Sequence, residues 1–165
     1  MVDLREAVPG DSELAYSIKK AAFRRYVDQV WGWADEEQRR LHKERFASHQ
    51  VQIVHAAGAD VGVLATELRE DCLSLHQLFI LPEYQGRGIG RDCMDHVMRA
   101  AALRGLPVRL RVLKVNPRAR VFYERLGFAC TGETATHHTL EWAACPDETQ
   151  GPGTHSDQPG SPTTA

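Results

Sequence analysis

A chain of 165 residues that is 42% hydrophobic and 25% charged has the material for one domain with a continuous core and too little for two of comfortable size. A formal net charge of −2 and a pI near 6.4 exclude bulk attraction to nucleic acid or anionic lipid, so either partner would need a local basic patch. The four cysteines, Cys72, Cys93, Cys130 and Cys145, form no C-x-x-C pair, which speaks against a zinc or disulfide framework and for reduced thiols in a cytoplasm.

Residues 2–7 alternate as a strand, and Pro9-Gly10-Asp11 turns the chain into a helix with Asp11 or Ser12 as N-cap and Leu14, Ile18 and Ala21 or Ala22 on its apolar face. Residues 26–35 hold two tryptophans and a tyrosine around Gly32 and read as a loop, followed by a polar helical run to about Ala47. Strands over 51–55 and 61–67 are joined through Ala57-Gly58-Ala59-Asp60, a hairpin signal. Another strand, 72–81, runs into a glycine-rich turn and a helix with Ile89, Cys93, Val97 and Ala101 at helical spacing, stopped by Gly105 and Pro107. The strand over 108–115 then forms a parallel pair with 72–81 through a right-handed crossover. Pro117 opens a further helix after the cap Asn116, Gly127 ends it, and strands over 128–132 and 137–142 close a domain of residues 1–143. From Ala144 the composition of Pro, Gly, Ser and Thr predicts a disordered tail over 144–165. No apolar run approaches the ~18 residues of a membrane span, and Asp3, Arg5 and Glu6 stand where a signal peptide has its apolar core. A soluble, cytoplasmic protein without nucleic-acid or membrane partners is therefore expected.

The junction at Gln85-Gly86-Arg87-Gly88-Ile89-Gly90 carries the most chemistry. Glycines let the backbone approach an anion, and the first turn of the following helix offers free N–H groups at the positive end of its dipole. Known nucleotide loops fit poorly, because the third glycine comes one residue early for G-x-G-x-x-G and no G-K-[ST] follows for a P-loop. A kinase or dehydrogenase reading loses its support.

The stretch from Leu78 to Gly90 resembles the acyl-CoA-binding signature of the GNAT superfamily of N-acetyltransferases, [QR]-x-x-G-x-[GA], through Gln85, Gly88 and Gly90. Downstream, Asn116-Pro117-Arg118-Ala119-Arg120-Val121-Phe122-Tyr123-Glu124-Arg125-Leu126-Gly127-Phe128 is similar to the family's N-x-x-A-x-x-F-Y-x-x-x-G-F segment, in the same order. The resemblance implies an α/β fold with a mixed sheet of about six or seven strands flanked by about four helices, and acetyl-CoA as co-substrate with no metal. It further implies that an N–H among Phe79, Ile80 and Leu81 polarises the thioester carbonyl on a strand that splays from its neighbour. The amides of Gly86, Arg87, Gly88, Ile89, Gly90 and Arg91 then hold the pyrophosphate, Asn116 contacts the cofactor, and Tyr123 protonates the departing thiolate. Read without the family, Tyr123 is a core aromatic, Asn116 a helix cap, and Arg87 and Arg91 solvated charges.

Acetyl transfer to an amine requires the neutral amine, which at pH 7 is about one molecule in 2,500 for a lysine-like group, a deficit of roughly 4.6 kcal/mol. Some family members carry a glutamate on the strand before the second motif; this chain has Arg111 there, which accepts no proton at neutral pH. Glu67 and His76 are the remaining base candidates, each also readable as an ordinary polar residue. His137 and His138, adjacent on a strand, point to opposite faces and do not share an ion. Tyr26, Trp31, Trp33 and Asp35 fall where the resemblance places acceptor binding, with Asp35, Glu36 and Glu37 positioned to attract a cation.

The reading is an N-acetyltransferase acting by direct attack in a ternary complex on a primary amine of a small molecule or peptide, as a monomer or homodimer. Alternatives are a non-catalytic acyl-CoA sensor of the same fold and a protein lysine or N-terminal acetyltransferase. A nucleic-acid binder would have to use Arg109, Arg111 and Lys114.

Overall fold

In the computed structural model, which describes residues 1–145, the period-two runs become seven strands of one sheet: β1 (Asp3–Glu6), β2 (Gln50–Ala56), β3 (Ala59–Leu68), β4 (Leu73–Ile80), β5 (Val108–Leu113), β6 (Ala129–Glu133) and β7 (His137–Trp142). Their spatial order is β1-β2-β3-β4-β5-β7-β6. All neighbours are antiparallel except β4 and β5, the pair joined by the crossover helix. Most of the expected tail, residues 146–165, lies outside the described residues.

Four helices cover the two faces: α1 (Ser12–Val30), α2 (Asp35–Ser48), α3 (Ile89–Leu103) and α4 (Pro117–Arg125). α3 and α4 seal one face, where Cys93, Met94, Val97 and Tyr123 pack with Val54, Leu64, Leu75, Val108, Leu110 and Leu140. On the other face, Ala15 and Ile18 of α1 meet Val51, Ile53, Val63 and Ala65, with Phe46, Phe79 and Leu81 at the margin. α1 runs to Val30, well into the segment read as a loop from residue 26. The reason is that Ala22, Phe23, Tyr26 and Val27 continue the helical spacing of Ala15 and Ile18, and Val27 is buried. Of the two alanines expected on the apolar face with Leu14 and Ile18, Ala22 is half-buried and Ala21 is exposed. Asp11 precedes α1 without a side-chain cap bond to it; its carboxylate accepts from the Val8 amide at 2.8 Å and from Arg5.

Two features shape β4. A Cβ on Gly62 would lie 2.6 Å from both the Phe79 carbonyl oxygen and Ile80 Cδ1, so only glycine lets β3 approach β4 there. Further back, the β3–β4 register slips: Ala65 faces Gln77 and Thr66 faces Leu75, leaving His76 as the extra residue of a bulge. Beyond it β4 parts from β5, because the parallel pairing covers only Leu73↔Val108 to Leu75↔Leu110. The sheet thus opens into a V with β4 residues 76–80 on one side and β5 residues 111–113 on the other.

Candidate active site

The glycine turn stands at the mouth of this V. Gly86 and Gly88 have φ of +73° and +83°, left-handed values that L side chains rarely adopt, and Gly88 is the N-cap of α3. The first helical bond runs from the Asp92 amide to the Gly88 carbonyl, and none of the six amides from Gly86 to Arg91 has an acceptor among the described residues. Six adjacent unpaired donors at a helix N-terminus form an anion cradle, and this fits a diphosphate. The Gln85 amide group donates to the Ile80 carbonyl at 2.8 Å and so ties the turn back to β4. A Cβ on Gly90 would make only an ordinary contact with the Phe122 ring, at 3.4 Å, so its part in the turn is its amide. Arg87 lies over the Tyr84 ring at 5.3 Å, while Arg91 lines the cleft with no carboxylate partner among the described residues.

The cleft has a volume of about 1800 Å³ and runs from the glycine turn through the V to the space under α1 and α2. Asn116 caps α4, its Oδ1 accepting from the Ala119 amide at 3.2 Å, and it lines the cleft as well. Tyr123 is buried in the wall, edge-on to Phe122 and Phe128 at 5.0 and 5.5 Å between ring centroids. Its hydroxyl has no hydrogen-bond partner among the described residues, and burial, reinforced by Cys93, pushes its pKa far up. On β4, the Leu81 amide donates to the Val61 carbonyl at 2.8 Å, so strand alternation turns Leu81 and Phe79 toward β3 and Leu78 and Ile80 toward the gap. The expectation of a free amide among residues 79–81 is thereby corrected for Leu81 and narrowed to Ile80, with Leu78 added. Phe79 contributes its ring instead, packed on Phe23 at 5.0 Å and lining the cleft.

Glu67 and His76 come together. His76 Nε2 lies 2.8 Å from Glu67 Oε2, which also accepts from Arg69 at 3.0 Å, and His76 first, then Arg69, holds the Glu67 carboxyl below its usual range. A third residue, His49 at the end of α2, stacks on His76 with ring centroids 4.0 Å apart and 7° between planes. Its Nδ1 is buried without a partner, and burial followed by the charge of His76 lowers its pKa. Sequence reasoning missed His49 because only the return of β4 beside α2 brings it there. One ligand atom from each of His49, Glu67 and His76 lies within 4.8 Å of the others. The parallel rings direct their lone pairs side by side rather than to one point, which suits a stack better than an ion.

The four expected acceptor residues separate into two groups. Tyr26 and Trp31 line the cleft, Trp31 at 60% exposure and 6.1 Å from the His137 ring. Trp33 and Asp35 do not. The Asp35 carboxylate accepts from Tyr16 at 2.7 Å, Lys20 and Arg39 at 3.0 Å and the Trp33 indole at 3.4 Å, and these, Tyr16 first, hold its pKa far below the carboxylate range. That network pins the α1–α2 corner and sets the Asp35 charge against Lys20 and Arg39 rather than against a cation in the cleft. The basic strand patch is likewise engaged: Arg109 pairs with Asp71 and Glu141, and Lys114 with Glu133 at 3.0 Å, leaving Arg111.

Lys19, unremarked in the sequence, is 3% exposed, lines the cleft and has no hydrogen bond or ion pair among the described residues. Burial, then the charge of Arg45, lowers its pKa to about 8. A folded-state value below the unfolded one means that the unfolded chain binds the extra proton between the two, so stability rises with pH across that window. Unfolding measurements from pH 8 to 10.5 should therefore show a gain approaching ~3 kcal/mol, and Lys19→Met should flatten the rise. An equally steep rise in the variant would assign it to another group.

A family model described as an acetyltransferase (GNAT) domain matches residues 47–130, a span that holds β4, the glycine turn, Asn116 and Tyr123. A 5-NmdU N-acetyltransferase of Pseudomonas phage PaMx11 is 38% identical over 60 residues, 36% of this chain and 41% of that protein. An uncharacterized N-acetyltransferase of Archaeoglobus fulgidus is 35% identical over 81 residues, 44% of this chain and 55% of that protein. The chain thus spans about half the length of the curated relatives it matches, or less. Among solved structures, the PaiA N-acetyltransferase of Thermoplasma acidophilum in complex with coenzyme A superposes with a TM-score of 0.73 at 15% identity, covering 87% of this chain and 99% of that one. Arabidopsis thaliana Naa50 in complex with the bisubstrate analogue CoA-Ac-MVNAL gives 0.67 at 18% identity, covering 87% and 99%. At such identities the structural likeness speaks for the fold, and the family rests on the model match over half the chain, across the very residues that build the cradle and the cleft wall: the chain belongs to the GNAT family of acetyltransferases.

Proposed function

We propose that the chain transfers an acetyl group from acetyl-CoA to a primary amine by direct attack within a ternary complex. The observation that carries this is the row of six unpaired amides, Gly86 to Arg91, at the mouth of the splayed β4–β5 pair. Acetyl-CoA supplies the activated thioester. The amides hold its diphosphate, with Arg91 beside them, and Asn116 lines the passage of its arm. The Leu78 or Ile80 amide, left free by the splay, donates to the carbonyl oxygen as negative charge gathers there. Tyr123 faces the leaving sulfur. No acyl-enzyme is involved, since no cysteine lines the cleft among the described residues, Cys93 is buried with its thiol pushed up to about 12, and the Cys72 thiol is also raised by burial.

With Nε2–H donated to Glu67, His76 keeps a lone pair on Nδ1, and this dyad is the base that takes the amine proton in place of the glutamate that Arg111 displaces. His76→Gln should lower kcat/KM about 10²-fold while acetyl-CoA affinity holds. An undiminished kcat/KM would move the base elsewhere. Trp31 and Tyr26 form the acceptor-side wall; Naa50 was solved with a peptide-bearing analogue, and a peptide amine is one acceptor this open cleft admits. Calorimetry with acetyl-CoA and a thiol-release screen over amines and peptides test the whole reading. Absence of acetyl-CoA binding sinks it, whereas binding without turnover on any amine leaves the sensor alternative that Arg111 raises.

A further inference from the structure

The acceptor half of the cleft is basic, the reverse of what Asp35, Glu36 and Glu37 suggest in the sequence. Lys19 of α1, Arg45 of α2 and Arg69 beyond β3 line it, together with His49 and His76. Carboxylates near it are engaged: Glu37 accepts from Arg40 at 2.6 Å, and Glu67 from Arg69 and His76. Lys20, the residue after Lys19, shows how this fold satisfies a lysine, through Asp35 at 3.0 Å. Lys19 is almost fully buried yet has no such partner among the described residues, and the charge that acts on it is the like charge of Arg45. Arg45 is exposed, lines the cleft and forms no ion pair among the described residues. The Lys19 stem is buried and its nitrogen opens only onto the cleft, and an ammonium so placed beside a second cation is stabilised by an anion that joins them.

We infer that the acceptor is a primary amine that also carries an anionic group, a carboxylate or phosphate, which Lys19 and Arg45 hold while the amine reaches the Glu67–His76 dyad. The inference rests on the transferase reading and narrows its substrate class. An anion between the two side chains converts their repulsion into two charge-assisted contacts, and Arg45, open to solvent, admits it from the cleft mouth. Polyamines and other purely cationic acceptors meet the same repulsion that Lys19 already feels.

The test uses amines in matched pairs, O-phosphoethanolamine with ethanolamine and β-alanine with propylamine, assayed by thiol release. The anionic member of each pair should have the higher kcat/KM by about tenfold or more, the worth of one modest ion pair. Lys19→Met and Arg45→Gln should each pull that ratio toward one. Equal or reversed preference in the wild type, a ratio the variants do not change, or acetylation of Lys19 itself without anionic preference overturns the inference. A second arm needs no turnover: inorganic phosphate titrated into CoA-saturated protein should bind at one site that Lys19→Met removes, and no binding, or binding unchanged in the variant, is decisive against it. If acetyl-CoA does not bind at all, the transferase reading fails separately, and the phosphate arm is run on protein whose glycine turn is blocked by Gly88→Val.

Discussion

Gly88→Val should lower acetyl-CoA affinity by about 10²–10⁴ while the protein stays folded. A Cβ built on Gly88 meets nothing within 4 Å, so the new side chain has room, but that room is the space above the amide row where the diphosphate would rest. A φ of +83° suits glycine alone, and a β-branched residue there either bears about 1–2 kcal/mol of strain or rotates the turn and re-aims its amides. Losing two charge-assisted bonds at ~1.5–3 kcal/mol each gives the stated range. Strain alone lowers Tm by about 2–8 °C, so calorimetry and thermal melts separate the two effects. Gly90→Ala is the control, because its backbone is helical and its Cβ would make only an ordinary contact with Phe122. Unchanged affinity in Gly88→Val would remove the diphosphate from this turn.

That turn is legible in the sequence because everything it needs is local. Two left-handed glycines, a helix start and the free amides between them are consecutive, and so are the Asn116 cap and the Pro117 that follows it. The strands are legible for the same reason, apart from a residue or two at their ends. The β4 bulge also leaves a trace: buried positions 73 and 75 are followed by 78 and 80 on the same face, one residue out of step, with His76 at the slip. What escapes the sequence depends on residues that meet only after folding. α1 extends through the aromatic segment because a partner surface exists for Phe23 and Val27, Asp35 is claimed by Tyr16, Lys20 and Arg39, and Gly62 is required by a strand that arrives from residues 79 and 80. His49 and Lys19 lie in segments with no motif, and their interest is entirely in their neighbours. The cleft under α1 and α2 therefore reads in the sequence with the wrong sign, acid-rich where the folded lining is basic, while the glycine turn can be followed residue by residue.

Tyr123→Phe should reduce kcat by about 10²-fold or more, with acetyl-CoA affinity and stability close to wild type. The hydroxyl has no partner among the described residues, so removing it breaks no native bond, and the ring keeps its edge contacts with Phe122 and Phe128. What the variant loses is a donor aimed into the cleft. Because burial pushes the Tyr123 pKa far up, the phenol is protonated throughout the working pH range and no alkaline limb of the rate profile belongs to it. The same shift makes complete proton transfer to a thiolate with a pKa near 8.5 strongly uphill at rest. The role that fits is donation of a hydrogen bond that strengthens as negative charge builds on the departing sulfur, which lowers the barrier without leaving a buried phenolate. An acceptor-side explanation would instead raise the amine KM and spare kcat. Equal kcat in Tyr123→Phe and wild type, measured with saturating co-substrates and chemistry rate-limiting, would leave Tyr123 a core aromatic and nothing more.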